Sequence, residues 1–398
     1  MLLPISNTPR EYAWGSLTDI AALQGREPSG RPEAEVWLGD HPGAPAIIGD
    51  GSDRSLITWI ADNGAAHGVE EPLSFLVKIL AAGSPLSIQA HPTIDQARAG
   101  FARDESAGIP VDAPERNYRD ANHKPEVIIA LSDPFLALAG FRAVDETRAL
   151  LAELGGAGAA AIGGRLDEAS GDLSRVVAWL LSARDGGADA AAAVADFEER
   201  VRAAASEVGG TDASARAFAD EVSALAMISG HYPGDPGIAV AALLNLVRLA
   251  PAEAIFVPAG APHAYLQGLG VEVMAASDNV LRGGLTPKHI DVEELVSVLD
   301  GRAGAPPRLV PRGVAPGVWR LDPPVEDFRI VRIVRARDDA AEVSGGTPAV
   351  VVATGAASVA QGSETLALAP GEAVFATPDD GPLRVAGAAV VAFGREGR

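Results

Sequence analysis

Gln89 and His91 stand two residues apart in the run Pro85-Leu-Ser-Ile-Gln-Ala-His-Pro92. On a strand, residues two apart share a face, so an amide oxygen and an imidazole converge on one point, as two ligands of one metal ion must. The other reading is a hydrogen-bonded pair at a strand end. In Asn122-His-Lys-Pro-Glu126, Pro125 pushes Lys124 toward extended backbone and splays His123, Lys124 and Glu126 in defined directions. Glu126 suits a metal ligand and Lys124 a phosphate or hydroxyl contact; an ordinary charged loop is the alternative. Pro258-Ala-Gly-Ala-Pro-His263-Ala-Tyr follows an apolar strand and presents His263 from a tight turn, as a ligand or as a core histidine. From Val271 to Lys288, a segment otherwise poor in charge carries Glu272, Asp278, Arg282 and Lys288. The Gly283–Gly284 pair there allows close backbone approach to a ligand, and Arg282 is of the type that grips phosphate or carboxylate with two hydrogen bonds. His41, His67, His231 and His289 lack comparable settings and read as structural or surface residues. With no cysteine in the chain, any metal site must use imidazole, carboxylate or amide donors.

The elements that position these residues follow from hydrophobic patterning. Ser74 to Leu80, Leu86 to His91, Val127 to Leu131 and Ala254 to Pro258 read as strands. Leu173, Val176, Val177, Leu180 and Leu181 recur at helical spacing, as do Val194, Phe197 and Val201, then Phe218, Val222 and Leu225. Breaks at Gly155–Gly156, Gly186–Gly187 and Gly209–Gly210 separate these helices. A further helix is predicted over about Asp291–Leu299. From about Phe328 onward short strands at Arg329–Arg335, Val350–Ala353, Glu372–Ala376 and Val390–Phe393 suit a sandwich or barrel. The chain is thus expected to be mainly β with an α-helical insertion at about residues 144–230.

The 398 residues suffice for two or three domains, and 47% hydrophobic content allows real cores. The formal net charge of −21 makes nucleic acid and anionic membrane poor partners. It also means that a site for an anionic substrate must gather a few cations against the global field. No apolar run spans a bilayer; Gly237 to Ala250 is broken by Asn245 and Arg248. Met1 to Ser6 lacks the basic start and long apolar stretch of a secretory signal, so a cytoplasmic location is expected.

Taken in order, these clusters resemble the motifs of the type I mannose-6-phosphate isomerase family, of the cupin superfamily. Gln89-Ala-His91-Pro resembles Q-x-H-P and Asn122–Glu126 resembles N-H-K-P-E. Pro258–Tyr265 resembles P-A-G-x-x-H-A-Y, and the stretch Met274–Lys288 resembles S-D-N-V-x-R-x-G-x-T-P-K. Tyr12-Ala-Trp-Gly15, Glu35-Val-Trp37 with Gly39 and His41, and Pro233-Gly-Asp235 add to the likeness. The match covers the first three-quarters of the chain and is loose beyond. The resemblance implies two cupin-like (jelly-roll) β-barrels plus a helical domain. Residues 1–143 and 231–290 would form a discontinuous catalytic barrel, 144–230 the inserted helices, and 291–398 the C-terminal barrel. It implies one Zn²⁺ per chain, held by Gln89, His91, Glu126 and His263. Arg282 would be the catalytic arginine, with Ser87 and Lys288 against the substrate phosphate.

The implied reaction is the interconversion of mannose 6-phosphate and fructose 6-phosphate through an enediolate, by a monomer or weak homo-oligomer acting on a small sugar phosphate. Such chemistry needs positive charge where the oxygen turns negative and a base near the carbon. Glu272, Asp278, His123 and Lys124 all qualify as the acid/base, and the sequence does not rank them. A cupin dioxygenase would prefer two histidines and one carboxylate around iron, which Gln89 and the cations Arg282 and Lys288 argue against. A silent sugar-phosphate sensor on the same scaffold is the third reading.

Overall fold

The segment Phe75-Leu-Val-Lys-Ile-Leu-Ala-Ala82 is apolar except for Lys78, and every residue in it is buried. Runs of this kind form strands covered on both faces. In the computed structural model, which describes residues 1–208, 217–343 and 346–395, the strands form two ten-stranded sheets. The 13-residue strand His263–Ala275 is the spine of the first sheet. It pairs antiparallel with Phe75–Ala82, Glu126–Ala130 and Phe135–Phe141, and at His263 with the short strand Gln89–Ala90. Glu35–Leu38 pairs with the far edge of Phe75–Ala82.

Helix and strand share the described residues almost equally, so the expectation of a mainly β chain is corrected to a mixed one. The predicted helices around Val176, Val194 and Val222 are found as Ser174–Leu181, Ala188–Val208 and Ala219–His231. Helix also runs past residue 230, as Gly237–Ala242. Others lie outside the expected insertion, including Leu56–Asn63 and Ile94–Ser106. The Gly209–Gly210 break lies outside the described residues. Leu151, Ile162, Leu180, Phe197, Val222 and Ile228 pack in one apolar cluster with Leu138, Leu266 and Leu281 of the first sheet. The helices are therefore fastened to the strands that carry the site. A Cβ on Gly158 would lie 2.2 Å from the carbonyl oxygen of Ala193, so only glycine lets Gly156–Glu168 approach Ala188–Val208 this closely.

The second sheet is built mostly from residues 312–394. Two of its strands come from the start of the chain. Leu2–Ser6 pairs with Ala373–Ala376 and with Ile47–Ile48. Conversely, Arg308–Leu309 pairs with Ala254–Ile255 of the first sheet. Strand pairing thus ties the expected C-terminal segment, residues 291–398, to both the 1–143 and the 231–290 segments. One apolar cluster joins the sheets, with Val77, Ile79, Val127 and Val271 on one side and Phe328, Val350, Val352 and Phe375 on the other. Among the described residues no helix is long and apolar enough to cross a membrane.

Candidate metal centre and cleft

Register brings the separated motifs together. His263 faces Gln89 across one ladder, and Gln89 faces Arg282 across the next. Glu126 opens its strand opposite Met274, so Glu126 and Glu272 (opposite Ile128) are diagonal neighbours on one face. Only Gln89–Ala90 is strand in the run expected to extend over Leu86–His91, and His91 lies just beyond it.

His91, Glu126 and His263 are buried, and their donor atoms lie within 4.8 Å of one another. His91 Nε2 is 3.4 Å from Glu126 Oε1, and His263 Nε2 is 3.3 Å from Oε2. For tetrahedral bonds of about 2.1 Å, donor atoms stand ~3.4 Å apart. His91 Nδ1 donates to the carbonyl of Asn279 at 2.8 Å, and His263 Nδ1 to that of Ala261 at 3.2 Å. These backbone partners fix the tautomer, leaving each Nε2 with its lone pair toward the carboxylate. Burial pushes the His91 pKa down to about 4, so the ring is neutral near pH 7. Its buried Nε2 makes no hydrogen bond. A lone pair facing a carboxylate in a dry pocket is unfavourable unless a cation lies between them. The donor set therefore fits a divalent ion of borderline softness. Gln89 borders the same space, its Nε2 donating to Ser87 Oγ at 3.4 Å.

Gln89, Glu126 and His263 open into a cleft of about 670 Å³, with His91 buried behind them. Burial works to raise the Glu126 carboxyl, but Lys124 at 3.0 Å, His91 and His263 together outweigh it and hold Glu126 well below the usual carboxylate range. Ser87, Lys124, Glu272, Asp278, Arg282 and Lys288 all line the cleft. His123 does not: its Nε2 lies 2.9 Å from Asp327 Oδ2, a residue on the approach to the second sheet. Asp278 is 3.1 Å from His41 Nε2. Burial works to raise Asp278, but the hydrogen bond from His41 together with the charges of His41, Lys124 and Arg119 brings its pKa below the ordinary value.

Several cleft residues escaped the sequence reading. Lys78 lies between Glu35 (3.4 Å) and Glu272 (3.3 Å), over the Trp37 ring at 4.9 Å. Burial pulls its pKa down, but the two carboxylates more than offset this and keep Lys78 charged. Burial also pushes Glu272 above the usual carboxylate range, against the pull of Lys78. The signal was present as a lone lysine inside an apolar strand, because lysine is buried only when paired. Arg119 is a third cleft cation beside Arg282 and Lys288. Burial and then the neighbouring guanidinium groups lower the pKa of Lys288. His231, read as structural, also borders the cleft.

The sequence profile of phosphomannose isomerase type I, catalytic domain, matches residues 2–144. The mannose-6-phosphate isomerase of Escherichia coli (strain K12) is 38% identical over 397 residues, covering 96% of each chain. That of Rattus norvegicus is 34% identical, covering 83% of this chain and 82% of its own. The crystal structure of mannose 6-phosphate isomerase from Salmonella typhimurium bound to substrate (f6p) and zinc aligns with a TM-score of 0.86. Its identity is 34%, over 99% of both chains.

Proposed function

The chain belongs to the type I mannose-6-phosphate isomerase family, and from that membership we propose that it interconverts mannose 6-phosphate and fructose 6-phosphate through an enediolate, using one zinc ion per chain. The observation that carries this reading is the neutral, unbonded Nε2 of His91 aimed at Glu126 opposite His263, at the foot of a cationic cleft in an acidic protein. Gln89, His91, Glu126 and His263 would hold the metal. Bound zinc supplies a Lewis-acidic positive centre facing the cleft.

The protein's own groups divide the remaining work. Lys288 and Ser87 bind the phosphate end of the sugar, helped by the field of Arg119. Arg282 hydrogen-bonds the oxygen that becomes negative as the enediolate forms. A base takes the proton from C2 of the open-chain aldose and returns it to C1, while the hydroxyl proton on O2 passes to O1. Glu272 is the best-placed base. It shares a face with Glu126, lines the cleft, and has a raised pKa that brings its basicity toward the working pH. Asp278, held low by His41, is the weaker base, and Lys124 is engaged with Glu126. The cleft volume falls in the range that takes small ligands.

On this reading the two sheets are cupin-like barrels with the helical segment inserted between strands of the first. The protein works on a small sugar phosphate, as a monomer or weak homo-oligomer. The test is a coupled assay. Metal-stripped and zinc-reloaded protein is offered mannose 6-phosphate, and fructose 6-phosphate is followed. Zinc-restored turnover is expected. Binding of the sugar phosphate with no turnover in zinc-loaded, folded protein would replace the isomerase with a sensor.

A further inference from the structure

The Pro233-Gly-Asp235 run takes no part in the chemistry above, yet the Asp235 carboxylate meets four partners. Oδ1 accepts from the N–H of Gly237 at 2.7 Å and of Leu285 at 3.1 Å. Oδ2 accepts from the N–H of Thr286 at 3.3 Å and from Arg184 Nη1 at 3.1 Å. Arg184 also donates to the Thr286 carbonyl through Nη1 and Nη2, both at 3.1 Å. Both backbone polar groups of Thr286 are thereby held from outside its own loop. The Thr286 hydroxyl passes the restraint on, accepting from the N–H of Lys288 at 3.1 Å.

The held loop is not one the chain adopts freely. Leu285 has φ of 55°, a left-handed conformation that side chains other than glycine rarely take. The backbones of Gly284 and Gly237 are in contact, and a Cβ on Gly284 would lie 2.5 Å from Gly237 Cα. The cations Arg119, Arg282 and Lys288 at the end of the cleft repel one another. A loop that must carry one of them into that field needs a tether, and Arg184–Asp235 supplies it without adding net charge.

We infer that Arg184 and Asp235 are positioning residues, through which the helical segment sets the Leu285–Lys288 loop so that the Lys288 ammonium meets the anionic end of the substrate. This rests on the sugar-phosphate reading of the cleft. It assigns the helices a share in substrate affinity and none in the proton transfer.

The experiment uses the zinc-loaded full chain with Arg184→Ala, Arg184→Lys, Asp235→Asn and the Ala/Asn double variant. Arg184→Ala should raise KM for mannose 6-phosphate about tenfold, the scale of one lost charge-assisted contact. Competitive inhibition by inorganic phosphate should weaken by the same factor. The value of kcat should stay within about twofold and zinc content should be unchanged, because the lost contact is made equally in ground and transition states. Arg184→Lys should recover part of the affinity. The double variant should cost less than the product of the singles, since both act on one loop. A lowered melting temperature with unaltered KM and phosphate inhibition would overturn the proposal, and so would a fall in kcat with KM unmoved. If the wild type fails to turn over mannose 6-phosphate, the isomerase reading falls alone. Calorimetric binding of inorganic phosphate to wild type and Arg184→Ala then still decides whether the tether holds an anion site.

Discussion

At the residue scale, each polar group at the foot of the cleft is set by a neighbour that does no chemistry. Glu272 is a case in point. Lys78 keeps it from being an isolated buried charge, while burial holds its pKa above the usual carboxylate range. Glu272→Gln preserves shape and removes the base, so kcat should fall by about 10²- to 10⁴-fold with zinc content retained. Steady-state kinetics beside metal analysis checks this, and a kcat near wild type would move the base to another residue. His41 acts on Asp278 in a similar way. Its Nδ1 accepts the N–H of Gly43, which leaves Nε2 to donate to the carboxylate. The folded pKa of Asp278 is lowered, so its contribution to stability is present above the ordinary value of about 3.9 and is lost as pH falls through the lower folded value. His41→Ala removes the lowering hydrogen bond and leaves the burial. In urea unfolding of metal-free protein the variant should be less stable at pH 6, and the gap should narrow below about pH 4. A gap that widens there would contradict the pairing. The expected positions His91, Glu126 and His263, which the structure groups, stood out from the order of several motifs rather than from any one, since each motif alone also admitted a structural reading. Lys78 and Arg119 did not, since their roles depend on which carboxylates and cations the fold sets beside them.

At the element scale, patterning foretold the helices near Val176, Val194 and Val222 but overlooked the spine. His263–Ala275 is buried along nearly all its length, so the alternation that marks a half-buried strand is absent. Its register shift between Tyr265 and Gln267 disturbs the period further. The helix Ile94–Ser106 was passed over although Thr93 and Gln96 spell a capping box, which the structure shows closed in both directions. The apolar run Gly237–Ala250 changes element part-way, from the helix Gly237–Ala242 to the strand Leu244–Leu249, and no periodicity test sees such a switch. Because the helical core reaches Leu281, beside Arg282, its packing is continuous with the site's edge. Phe197 is fully buried in that core. Phe197→Ala should cost about 3–5 kcal/mol in chemical denaturation. The folded fraction should keep its kcat, because Phe197 touches none of the proposed chemistry. Loss of kcat in a fully folded sample would mean that the helices do more than hold the loop at Lys288.

At the scale of the whole molecule, the two sheets share apolar packing, and the chain's first strand belongs to the second sheet. Leu2 and Ile5 are buried there, in register with Ala376 and Ala373, and the Met1 ammonium donates to Thr377 Oγ1 at 2.9 Å and to Gln361 at 3.2 Å. No local pattern announces this strand, because its partners at Ala373–Ala376 lie more than 360 positions away. Deleting residues 1–6 removes the strand between Ala373–Ala376 and Ile47–Ile48 and exposes Phe375's sheet edge. Burial of a large aliphatic side chain contributes about 1.5–3 kcal/mol, so two such residues set a loss of about 3–6 kcal/mol. The truncated protein should therefore melt well below the full chain. Its zinc affinity should change little, since Gln89, His91, Glu126 and His263 all lie on or beside strands of the first sheet. Calorimetric melting, with zinc titration at a temperature where the truncated chain is still folded, separates the two effects. Weakened zinc binding in the folded truncated protein would show that the shared core transmits strain from the second sheet to the metal group, and that the site depends on the whole molecule rather than on the sheet that carries it.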